Sequence, residues 1–156
     1  MISECLVILE MVIYMKNDQQ MLSSLLKTTQ MGQICIRSVL DISMRPGLRK
    51  ALQSQLQEYD RIESEAHFLA SQRGWELHDV QPGKRIMADI AARVKLSRGN
   101  SDSKIAGMMI QRNTRGMISG LKNLHQYPQH DSQISVLSQR LLDCETANIR
   151  QMQTFL

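Results

Sequence analysis

Apolar residues recur at three- and four-residue spacing along four long stretches of this chain, the period of helices buried on one face. The first predicted helix runs from about Asp18, a residue suited to an N-cap, to about Ile42. Its stripe is Leu22, Leu25, Leu26, Thr29, Ile36, Val39 and Leu40. A turn at 43–47 follows, and Pro46 suits the first turn of the next helix. That helix carries Leu48, Leu52, Leu56, Tyr59, Ile62, Ala66 and Leu69 up to Gly74, a residue able to stop a helix in the left-handed conformation. Residues 75–83 read as a loop, and 84–97 as a shorter helix with Ile86, Met87, Ile90 and Val94. The polar run 98–102 interrupts the pattern, and Asn100 or Ser101 can cap a further long helix to about Gln126, with Ala106, Ile110, Asn113, Met117, Leu121 and Leu124 on one face. Tyr127 and Pro128 close it. Asp131 can cap the last helix, with the stripe Ile134, Leu137, Leu141, Cys144, Asn148, Met152 and Phe155.

Short loops make each long pair an antiparallel hairpin, and a long connection with its own helix joins the pairs. This is the topology of four-helix bundles with one crossover, of which ferritin-like folds are the best-known case. The expected fold class is therefore all-α, a ferritin-like four-helix bundle with a long helical crossover between helices 2 and 3. A plain up-down bundle with a kinked third helix is the alternative. Residues 17–156 read as a single domain, long enough at 156 residues in all to bury a core without staples.

Composition changes this picture little. The chain is 42% hydrophobic and 22% charged, with few aromatics and eleven methionines, so Leu, Ile, Val, Ala and Met must fill the core. Cys5, Cys35 and Cys144 form no CxxC or zinc spacing, which points to a reducing, cytoplasmic compartment. The apolar stretch 1–16 is too short to span a bilayer and lacks the basic start and small-residue cleavage site of a secretory signal. It reads as an extension: an extra helix packed on the bundle or a partner, or translation annotated upstream of a start at Met15 or Met21.

The patterns LLKTTQMGQICIRSVL, RPGLRKALQSQLQEYDRIESEAHFLASQRG, SKIAGMMIQRNTRGMISGLKNL and LLDCETANIRQMQTFL resemble a group of uncharacterised bacterial ferritin-like four-helix-bundle proteins over about residues 20–156. These are helix-packing patterns, so the resemblance implies a fold rather than an activity. Members of the group often show His and Glu where this chain has Lys104 and Gly107. The di-iron pattern of such bundles asks for a Glu from each of two helices and a Glu-x-x-His from each of the others. Here Glu58 and Glu63 are followed at the third position by Arg61 and Ala66, and Glu145 by Asn148. No catalytic residues, cofactor or central metal are expected. Glu63 and His67, at i and i+4, are the one weak metal alternative. Thr29, Gln33, Tyr59, Asn113 and Asn148 fall on inward faces and are expected to form a hydrogen-bonded polar layer that fixes helix register. Gly116 and Gly120 read as sites of close internal packing.

The net charge of +4 is concentrated in residues 82–122, where nine Lys or Arg stand against Asp89 and Asp102. Lys104, Arg112, Arg115 and Lys122 fall near one stripe and could contact an anion or an acidic partner, although a solvated face is the favoured expectation. Without interleaved aromatics or a recognised motif, nucleic acid is a possible but not a favoured partner. The sequence thus points to a non-enzymatic protein, without a membrane role, that acts through homo-oligomerisation or a protein partner. The alternatives are a degenerate metal-binding or oxidative-stress protein and a nucleic-acid-associated protein.

Overall fold

In a computed structural model of the chain, residues 16–80, 84–96, 101–128 and 131–156 are described, and every regular element among them is an α-helix. These are α1 (Asp18–Val39), α2 (Pro46–Gln72), α3 (Lys84–Leu96), α4 (Ser101–His125) and α5 (Ser132–Gln153). The expectations for residues 1–15 lie outside the described residues.

The four long helices enclose one apolar interior. α1 packs on α2 and α4, and α5 packs on α2 and α4, while α3 lies against α1 and α4. Helices α2 and α5 run antiparallel: Gln55 bonds Gln151, Tyr59 bonds Asn148, and Glu65 bonds Arg140. The predicted stripes supply the interior: Leu22, Leu26, Ile36, Leu48, Leu52 and Ile62 are among the most deeply buried side chains, with Ile134 and Leu137 from α5. Burial of each such side chain contributes about 1.5–3 kcal/mol, so the interior itself accounts for the fold.

Three details depart from expectation. The N-cap of α1 is Asn17, not Asp18. Asn17 accepts the Gln20 N–H at 2.8 Å while the Gln20 side chain accepts the Asn17 N–H at 3.0 Å, and this reciprocal box satisfies two otherwise orphaned donors. Asp18 instead receives the hydroxyl of Tyr127. The helix stops at Val39 rather than near Ile42. In α4 the burial covers Asp102, Ile105, Ala106, Met109 and Asn113 and then fades, so Leu121, expected inside, is exposed along with Ile118.

The helix ends are tied across the sequence. Arg45, the N-cap of α2, has no capping side chain of its own, and its backbone N–H donates to Asp102 of α4 at 3.2 Å while its side chain pairs with the same carboxylate. Gly74 has φ 67°, where a side chain would be strained, and it ends α2 as expected. Asp131 caps α5 by accepting the N–H groups of Gln133 and Ile134, and Arg73 from the end of α2 pairs with it.

Candidate functional site

At mid-height the four long helices converge on a polar cluster. It is centred on Arg112 of α4 and Glu145 of α5, whose carboxylate is 0% exposed. Arg112 Nη1 lies 2.6 and 2.8 Å from the two Glu145 oxygens, 2.8 Å from the Tyr59 hydroxyl and 3.1 Å from Asn113 Oδ1. Its Nη2 donates to the Thr28 carbonyl of α1. The guanidinium also stands 5.3 Å from the centroid of the Tyr59 ring, within range of a cation–π contact. Asn148 Nδ2 donates to the Tyr59 hydroxyl at 3.2 Å, and that hydroxyl is 3.1 Å from Glu145 Oε1.

Two glycines make room for this arrangement. A Cβ on Gly116 would stand 2.9 Å from the Glu145 carboxyl carbon, and one on Gly32 would meet the Tyr59 ring at 2.8 Å and Arg112 Nη2 at 3.0 Å. At both glycines the space is too small for an ordinary side chain. Gly116 thus provides the expected close packing, while Gly120 would bring a Cβ only to ordinary contact with Leu142 at 3.6 Å.

Burial governs the electrostatics. It pushes the Glu145 carboxyl above its usual value, with the charge and hydrogen bonds of Arg112 opposing. Burial likewise raises the Tyr59 hydroxyl, which stays neutral. Arg112 is held charged: burial acts against its cation, but the neighbouring Tyr59 and Glu145 outweigh it. Without such a partner a buried carboxylate would be costly. The cluster holds a single carboxylate, and a fixed cation occupies the space beside it. It therefore lacks the donor set of a metal centre, since guanidinium has no acceptor to offer.

The five residues expected in a polar layer are all buried, but they do not form one layer. Tyr59, Asn113 and Asn148 join the central cluster. Thr29 is satisfied within its own helix by the Leu25 carbonyl at 2.9 Å. Gln33 turns instead toward α2, donating to Asp60 at 2.8 Å and to Glu63. Glu145 takes the inward place that the stripe assigned to Cys144, because position 145 continues the spacing of 134, 138, 141, 148 and 152 more closely. Asn113 Nδ2 is a buried nitrogen without a hydrogen-bond partner among the described residues.

Glu63 and His67 belong to a second cluster, near the end of α2, which also recruits Asp79 from the connection to α3. His67 Nε2 is 3.3 Å from Asp79 Oδ1 and 3.9 Å from Glu63 Oε1. Ligand atoms of the three lie within 4.8 Å of one another, a donor set of one imidazole and two carboxylates that suits a divalent ion. Gln30 bridges the same carboxylates, donating to Glu63 at 3.1 Å and Asp79 at 2.7 Å, while its own oxygen accepts the Val80 N–H.

The four cations of the basic stripe do not share a solvated face. Arg112 points inward with its side chain 14% exposed, Lys104 is half-buried, and Arg115 and Lys122 are exposed. A signal for the inward arginine was present: Gly116 lies one turn beyond Arg112, and Glu145 lies four residues after Leu141 and three before Asn148, in step with the inward face of the facing helix. Nothing in the sequence marked Asp79 or the Thr28 carbonyl. Of the other histidines, His78 and His125 are exposed.

These observations define an all-helical protein whose interior is closed by an arginine–carboxylate–tyrosine cluster. Among solved structures the fold is similar to that of a conserved hypothetical protein, rv2844, from Mycobacterium tuberculosis. The TM-score is 0.69 at 11% identity, over 89% of this chain and 96% of that one. At that identity the likeness concerns the fold alone. No protein-family model and no curated protein matches the chain. Among the described residues, no helix is long and apolar enough to cross a membrane.

Proposed function

We propose that this chain is a non-enzymatic ferritin-like four-helix bundle that acts through self-association or a protein partner. The observation that carries the reading is Arg112, whose guanidinium lies at the centre of the four helices beside Glu145, the space where a ferritin-like bundle would gather metal ligands. A cation fixed by four groups leaves that centre with a structural task. Contact with another chain has support at the surface, where Phe68 of α2 is 58% exposed and Val136 of α5 69% exposed. The test joins two measurements on untagged, dialysed protein. Elemental analysis is expected to give no stoichiometric iron, manganese or zinc dependent on Glu145, and light scattering to give an assembly whose mass falls in the Phe68→Ser, Val136→Ser double variant. Glu145-dependent metal would overturn the first half, and a monomer at all concentrations with no captured protein partner would overturn the second.

One observation favours a second reading, a degenerate metal-binding protein: the approach of Glu63, His67 and Asp79. Under that reading zinc or manganese survives dialysis and is lost on His67→Ala. Retention of the metal in that variant, or its absence from the wild type, would count against the site.

A further inference from the structure

Between α1 and α4 lies a cavity of about 590 Å³, within the range of small-molecule sites. Five basic side chains reach it: Lys16, Lys27, Arg93, Arg112 and Arg115. No Asp or Glu lines it among the described residues. Arg112 is already neutralised by Glu145, and Lys16 donates to Ser24 at 3.1 Å. Lys27, Arg93 and Arg115 take part in none of the ion pairs of the described residues, which are made by Arg37, Arg45, Arg61, His67, Arg73, Arg112 and Arg140. Three uncompensated cations from three helices therefore surround one concavity. The remaining wall sets Met31, Ile90, Met108 and Met109 among uncharged polar side chains such as Ser24, Thr28 and Ser119. Methionine side chains are flexible and polarizable, so such a wall adapts to an apolar body of variable shape. Cationic groups set against a low-dielectric wall concentrate their field on an anion held there.

We infer that this cavity binds a small anionic amphiphile, an anionic headgroup on an apolar body, with Lys27, Arg93 and Arg115 reading the headgroup and the methionines holding the body. The inference is independent of the proposed assembly or partner role. It separates the exposed cations from Arg112, whose charge belongs to the interior. It also explains why the basic residues lack interleaved aromatics: the surface they line is concave and sized for a small molecule, whereas base stacking would require aromatic platforms.

The test titrates the full chain by calorimetry with dodecanoate and dodecyl phosphate below micellar concentration, and with butyrate and dodecyltrimethylammonium for comparison. The two anionic amphiphiles are expected to saturate, butyrate to bind about tenfold more weakly or worse, and the cationic amphiphile not to bind. The Lys27→Gln, Arg115→Gln double variant, which alters only exposed side chains, is expected to weaken dodecanoate by about tenfold, whereas Lys122→Gln, outside the cavity, leaves it unchanged. Cys35 also lines the cavity and Cys144 does not, so saturating dodecanoate should slow alkylation of Cys35 alone in the unmutated chain, read by peptide mass. Preference for dodecanoate over dodecyl phosphate would assign the headgroup to carboxylates, and the reverse to phosphates. Failure to saturate, equal affinity for the cationic amphiphile, undiminished binding in the double variant, or equal protection of both cysteines would overturn the inference.

Discussion

Gly107 and Gly116 sit in the same helix, yet the space around them predicts opposite responses to alanine. Nothing stands within 4 Å of a Cβ at Gly107, so Gly107→Ala should gain the helix propensity of alanine, about 0.8–1 kcal/mol. At Gly116 the new methyl would meet the Glu145 carboxylate at 2.9 Å, and that carboxylate is pinned by Arg112 and Tyr59. Gly116→Ala should therefore destabilise by about 1–3 kcal/mol despite the same intrinsic gain. Thermal denaturation of the two variants side by side checks the contrast, and a gain at both positions would show that the cluster yields freely. Arg112 itself offers a sharper measurement. Arg112→Ala leaves Glu145 buried without its partner and should cost about 3–5 kcal/mol, whereas Arg112→Met combined with Glu145→Leu should restore most of that loss. Denaturant unfolding of the two variants decides this; a double variant as unstable as the single would mean the loss comes from the hydrogen bonds of Tyr59, Asn113 and the Thr28 carbonyl left unmade rather than from the unpaired charge of Glu145. For the same reason, a low cost for changing Arg112 and Arg115 together, expected of a solvated stripe, now applies to Arg115 alone.

At the scale of an element, the start of α5 joins a helix cap to an ion pair. Burial works to raise the Asp131 carboxyl, but the hydrogen bond and charge of Arg73, with the N–H groups of Ile134 and Gln133, outweigh it and hold it below its usual value. A depressed carboxylate contributes stability that is present above its unfolded pKa and is lost as the pH falls through the folded one. Asp131→Asn preserves an acceptor for the cap and removes the charge. The variant should be about 1–2 kcal/mol less stable than the wild type at neutral pH, with the gap closing below the ordinary value of 3.8. Urea unfolding across the acid range measures this, and a gap constant with pH would refute the charge argument. The thiols behave differently, since burial pushes Cys144 up to about 12 and raises Cys35 as well.

Across the whole molecule, Asp102 links the beginning of α4 to the beginning of α2, so two helices more than fifty residues apart share one carboxylate. Asp102→Ala should speed amide exchange in the first turns of α2 and α4 and leave the middle of α1 protected, as hydrogen exchange by mass can show; unchanged exchange at α2 would mean the link is dispensable. The helices themselves were legible because periodicity reports which face is buried: the stripes of α1, α2 and α5 match the interior almost residue by residue. The break came in α4. Its apolar pattern continues to Leu124, but among the described residues no element covers Ile118 and Leu121, and periodicity carries no information about what lies opposite. The candidate site was legible in part. Tyr59, Asn113 and Asn148 stood out as polar residues on apolar faces, but the sense of Arg112 depends on Glu145 arriving from a helix more than thirty residues away. Asp79, likewise, reaches Glu63 and His67 only because the loop after α2 folds back on Gln30.

The two glycines against the central cluster also constrain the order in which this sequence can change. While Glu145 stands against Gly116, alanine at 116 is a harmful substitution; once Arg112 and Glu145 have both given way to smaller apolar residues, the same alanine fills space and strengthens the helix. Its effect reverses sign with the background. A lineage that drifted across this centre would have to replace the charged pair first and the glycine afterwards, so each position acts as a gate on the others and the cluster resists piecemeal loss.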